Sequence, residues 1–248
     1  MDAAGDFDAD AAACAVTEAL RPLGTPERAA GSKAYLKSDL EFFGVTVPQM
    51  RRVVTSALRG HRGLDRSAVV AWAVALWREP VFERRLAAVE LLQQSVRSLT
   101  AADLLVVERL IRDSGTWALV DGLAGSVAGG IALRDASSWP RVDAWALDGD
   151  FWVRRSALLV LLPGIRAGAG DLARFDRYAE PMLAEKEFFI RKAIGWVLRE
   201  ISRRDPSFVA AWTSAHMREM SGVTFREAVR RLPAGAAERL RATRSSVA

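Results

Sequence analysis

Residues 151–162 read FWVRRSALLVLL: two aromatics, a pair of arginines two residues on, then an apolar run. The same order recurs along the chain. Phe82 precedes Glu83, Arg84 and Arg85, and Phe189 precedes Ile190, Arg191 and Lys192. Trp117 falls in the same phase as Phe82, Trp152 and Phe189, and Phe225 extends it, with successive spacings of 35, 35, 37 and 36 residues. That is the length of a two-helix unit, and such units stack as an α-solenoid because each buries its apolar face on its neighbour. Identity between copies is weak, as expected when only the buried positions must match. The predicted fold is therefore all-α: an α-solenoid of HEAT-like two-helix repeats with a concave basic surface. It forms one domain over 1–248, with tails at about 1–8 and 242–248 as candidates for disorder.

Local signals agree. Thr100-Ala-Ala-Asp103 has the form of a capping box, followed by the apolar stripe Leu104, Leu105, Val107, Leu110 and Ile111. Pro26, Pro48, Pro80, Pro140, Pro181 and Pro206 are expected near helix starts, where a missing N–H costs nothing. No stretch alternates as a half-buried strand does.

Composition excludes several classes of function. Half the residues are hydrophobic, enough for a sizeable core, yet no apolar run approaches the ~18 residues of a membrane span. The start, MDAAGDFDAD, is acidic where signal and transit peptides are basic, so a cytoplasmic protein is expected. The lone Cys14 excludes an internal disulfide, and with only His61 and His216 beside it no His/Cys metal site of recognisable spacing can be built; an all-carboxylate site stays open, but no ExxH pattern supports one. No metal and no cofactor are expected. Charge is uneven: residues 151–248 carry a net +8 and residues 1–150 a net −3. A basic half suits a polyanion partner, though solvated helix faces are often basic too.

The third copy breaks the pattern. Leu119 and Val120 replace the basic pair, and Asp121 follows where the other copies have Leu86, Ser156, Ala193 and Val229. It is the sole carboxylate of SGTWALVDGLAGSVAGG, residues 114–130, which holds no Lys or Arg. Equivalent positions of stacked repeats line up along one surface, so Trp117, Asp121, Trp152, Arg155 and Lys192 are expected on adjacent helices. Two readings follow. Asp121 could pair with Arg155 to order two helices, with Trp117 and Trp196 as core aromatics. Alternatively, a carboxylate between aromatic faces, ringed by arginines, could stabilise a developing cation while the arginines hold phosphates.

Longer motifs favour the second. KAYLKSDLEFFGVTVPQMRRV, TWALVD, FWVRRSALLVLL and EKEFFIRKAIGWVLREISRRDP resemble the AlkD family of bacterial DNA glycosylases, HEAT-like DNA alkylation repair enzymes, over roughly residues 28–231. The resemblance implies hydrolysis of the N-glycosidic bond of cationic N7- or N3-alkylated purines in duplex DNA, without flipping the base. 7-Methylguanine, 3-methyladenine and bulkier adducts are the implied substrates. It implies catalytic roles for Trp117, Asp121, Arg155 and Trp196, and DNA contacts by Tyr35, Arg191, Lys192 and Arg199. Arg51 and Arg154 are expected beside them on the DNA. It further implies a monomer with no obligate protein partner, at the nucleoid of the bacterial cytoplasm. The chain departs from the family at Thr46-Val47 and Met50, where members often carry polar and basic residues, and segment 134–149 has no assigned role. Two competing functions remain: a non-catalytic repeat protein that binds distorted DNA, and a protein-binding scaffold.

Overall fold

The computed structural model describes residues 7–247. Among them the backbone is helical, with no strand beyond an isolated parallel bridge between Glu41 and Val81. None of the described helices is long and apolar enough to cross a membrane. The chain forms two compact units, Met1–Val127 and Ala128–Ala248.

In the first unit, helices Ala9–Leu20, Pro26–Leu36, Val47–Gly60, Arg66–Trp77, Phe82–Gln94 and Leu104–Arg112 lead to the short helix Trp117–Asp121. Several starts are specified locally. Asp8 accepts from the Asp10 and Ala11 amides, and Thr25 caps a helix with Pro26 at its first position. Thr46 and Gln49 cap each other reciprocally, and the Thr100 amide donates to Asp103 Oδ2 at 2.8 Å. Such side-chain oxygens satisfy backbone donors that a helix start would otherwise strand. Trp72, Leu76, Leu91, Leu104, Leu110 and Ile111 fill the core. Leu105, expected in that stripe, is 58% exposed instead, because it lies roughly 100–160° round the helix from Leu104, Val107, Leu110 and Ile111.

In the second unit, the main helices are Phe151–Val160, Leu172–Met182, Phe188–Ile201, Pro206–Ala215, Gly222–Ala228 and Ala234–Val247. The last of these carries residues 242–247, while residues 1–6 and 248 of the expected tails lie outside the described residues. Pro181 is not at a helix start; it sits one residue from the end of Leu172–Met182, where a single lost hydrogen bond is tolerated. Segment 134–149 is a brace. Trp139 lies 4.3 Å under the Arg174 guanidinium, and Asp143 accepts from Arg174 Nε at 2.9 Å and the Tyr178 hydroxyl at 2.5 Å.

In both units the repeat phase is structural. Phe82, Trp117, Trp152, Phe189 and Phe225 each fall in the first turn of a helix.

Candidate functional site

Trp117 and Asp121 begin and end a five-residue helix entered through Gly115, whose φ of 60° is left-handed. Leu119, Val120, Leu123, Ala124 and Val127 are fully buried, whereas Trp117, Ala118, Asp121 and Gly122 are half-buried. The apolar run therefore anchors one side of the segment, and the indole and carboxylate share the other. Directly after Asp121 the backbone widens into a π-helix, Gly122–Ala128. Such turns are rare and concentrate at functional sites, since they rotate side chains out of α-helical register. Gly122 is required here: a Cβ would lie 2.6 Å from Val89 Cγ1 and 2.9 Å from Gln93 Nε2. Gly122→Ala should lower stability by roughly 1–3 kcal/mol through overpacking, measurable as a reduced urea midpoint.

Tyr35, 74% exposed, meets Trp117 edge to face, with centroids 6.1 Å apart and planes at 82°. Its placement is built from a distance. Glu83, beside the phase aromatic Phe82, is buried and accepts from the backbone amides of Phe43, Gly44 and Val45 at 2.9, 2.7 and 3.1 Å. This draws Gly44 so close to the helix Pro26–Leu36 that a Cβ there would stand 2.3 Å from the Thr25 carbonyl. That helix carries Tyr35 in its last turn. On the other side, Arg85 fixes the loop into Trp117, reaching Asp113 Oδ2 at 2.9 Å and its carbonyl at 2.6 Å. Burial pushes the Arg85 guanidinium below its ordinary pKa, and the Asp113 carboxylate opposes that shift.

Arg51 is exposed on helix Val47–Gly60 beside Arg52 and Arg59, with its Nε 2.9 Å from Glu90. The departure at Met50 has a structural reason: that side chain is buried in the core.

In the second unit, Trp152 packs against Phe151 and Phe189 with centroids 4.5 and 4.9 Å away. Arg155 is only 3% exposed; its Nη1 donates to the Phe189 carbonyl and its guanidinium lies 5.7 Å from that ring. Arg154 is held by both oxygens of Glu185 at 2.7 Å and by the carbonyls of Asp148 and Gly149. The guanidinium expected at the DNA is thus engaged through Nε, Nη1 and Nη2 inside the protein. Arg191 Nε donates to the Glu185 carbonyl, and Lys192 and Arg199 both bind Glu227. Trp196 is half-buried on the same helix.

The acids were the part that motif reading missed. Glu83, Glu185 and Glu227 set the positions of functional candidates, yet each looks like one more surface glutamate in sequence. The available signal was phase: Asp113 and Glu185 each stand four residues before an aromatic, and Glu227 two after. Burial opposes ionisation of Asp143 and Glu227, but Arg174 and Tyr178 for the first, and Lys192, Arg199 and Arg230 for the second, outweigh it and hold both carboxyls below their ordinary values. Both folded-state values lie below the unfolded ones. Their stabilisation is therefore fully present above about pH 4.5 and should fade as pH falls through the lowered folded values. Urea unfolding at neutral and acid pH should show this loss, and Glu227→Gln should remove its share.

These features define an all-helical repeat protein with a half-open Trp–Asp face in one unit and braced cations in the other. Residues 16–232 match the DNA alkylation repair enzyme family, and the chain belongs to it. Its fold is similar to that of a predicted DNA alkylation repair enzyme from Enterococcus faecalis (TM-score 0.75, 24% identity, 85% of this chain and 97% of that one). It is also similar to AlkD2 from Streptococcus mutans (TM-score 0.55, 16% identity, 83% and 99%). A further protein of Streptococcus mutans UA159 matches with a TM-score of 0.58 at 15% identity, over 84% and 98%. No curated protein sequence matches the chain.

Proposed function

We propose that the protein is a monofunctional DNA glycosylase that hydrolyses the N-glycosidic bond of cationic N7- and N3-alkylated purines in duplex DNA. The observation that carries this reading is the shared half-open face of Trp117 and Asp121, with the exposed Tyr35 set against the indole. A base made cationic by alkylation leaves as a neutral molecule with the glycosidic electron pair, so no general acid is needed. Positive charge then grows on the deoxyribose. Asp121 stabilises it and orients the water whose oxygen bonds to C1′, taking up the proton released. Trp117 presents its ring face to the cationic sugar, and Trp196 of the second unit is the further catalytic tryptophan that the family resemblance implies. Arg155, being buried, acts as a fixed charge rather than a mobile clamp. Tyr35, Arg51, Arg191, Lys192 and Arg199 contact the DNA backbone, whereas Arg154 is assigned to the brace with Glu185. The base stays stacked, unlike the general glycosylase pattern. The enzyme works as a monomer without cofactor or obligate partner, on nucleoid DNA in the bacterial cytoplasm.

Incubation with methylated duplex DNA, followed by mass spectrometry of the freed bases, tests this. Release of 7-methylguanine or 3-methyladenine is expected. Salt-sensitive binding without any released base would favour the second reading, a non-catalytic binder of distorted DNA, which the basic second unit also suits.

A further inference from the structure

Glu227 stands two residues after Phe225, where three of the four earlier copies carry Arg84, Arg154 and Arg191 and the third carries Leu119. The fifth copy thus reverses the charge of that position. Its side chain is 10% exposed, and three cations converge on it. Lys192 Nζ lies 2.5 Å from Oε1, Arg199 Nη1 binds Oε2, and Arg230 Nη1 lies 4.0 Å from Oε1. Lys192, Trp196 and Arg199 are spaced four and three residues apart on helix Phe188–Ile201, so both cations share the face of the indole. Gly195 lets the acid approach, since a Cβ there would lie 2.6 Å from Glu227 Cβ.

We propose that Glu227 is a positioning residue that presets Lys192, Arg199 and Arg230 as a clamp for DNA backbone phosphates beside Trp196; this rests on the DNA-acting function proposed above. Lysine and arginine lose much rotamer freedom when they grip a phosphate, and a carboxylate that already orders them removes part of that loss before DNA arrives. One acid against three bases leaves the cluster net positive. The Lys192 side chain is 40% exposed and Arg199 19%, and each keeps N–H groups beyond the one given to Glu227.

The sign of one substitution separates this role from a mere counter-charge. Glu227→Gln raises the net charge by one, so simple electrostatics predicts tighter DNA binding and an equal or steeper salt dependence. A lost positioning residue predicts the reverse: affinity for a short unmodified duplex down by about tenfold, and the slope of log K against log salt shallower by about one to two contacts. Fluorescence anisotropy over a salt series reads both, with circular dichroism to confirm the fold. Glu227→Asp, which retracts the carboxylate by one methylene, provides the test if the glutamine variant does not fold. It should bind more weakly than the wild type with a shallower slope. Binding by either folded variant that equals or exceeds the wild type would overturn the clamp while leaving the glycosylase reading intact. A wild type without salt-sensitive DNA binding would overturn both.

Discussion

Asp121→Asn is expected to slow release of 7-methylguanine from methylated duplex DNA by about 10²–10³-fold or more, the scale seen when one preorganised electrostatic partner of a transition state is removed. Asparagine keeps the shape and much of the hydrogen bonding but not the charge. Because Asp121 is half-buried, that charge acts through a lower effective dielectric than water and is correspondingly strong. Affinity for unmodified duplex should stay within a few-fold, since the carboxylate contributes nothing attractive to phosphates. Single-turnover release and anisotropy binding on the same preparation make the comparison. A variant that retains a rate within tenfold of wild type removes Asp121 from the chemistry.

The second large effect concerns stability. Glu83→Ala should destabilise the protein by roughly 3–5 kcal/mol, because three backbone amides lose a buried charged acceptor at once. For a chain of this size that corresponds to about 10 °C in melting temperature. Glu83→Gln, which still offers one acceptor oxygen, should lose distinctly less. At temperatures where both variants remain folded, the alanine form should also show weaker DNA binding, because the loop it frees seats the helix that carries Tyr35.

Much of this was legible beforehand. The 35- to 37-residue phase of Phe82, Trp117, Trp152, Phe189 and Phe225 implied repeated helices, and each of those rings lies within the first four residues of a helix. The Thr100–Asp103 cap could be read for the same reason: capping is a contact between residues three apart, which spacing alone encodes. Tyr35 was legible as a candidate only through family resemblance, its contact with Trp117 came from packing, and Leu105 shows where pattern reading slips. Leu105 looked like core but is exposed, and burial of Met50 accounts for the departure from the family there.

By itself, the sequence determined the helical class, the repeat length, several helix starts and the oddity of an acid at Asp121, because each depends on neighbours within a few residues or on a period. Tertiary structure alone decided what the charges do. Arg85 and Lys192 stand three residues after the aromatic of their repeats and Arg154 two, yet each is braced by an acid 28 to 35 residues further on. A lysine or arginine is long enough to reach solvent, a phosphate or such a partner, and nothing in its local sequence chooses between them. That choice is made by which carboxylate the packed helices bring within hydrogen-bonding distance.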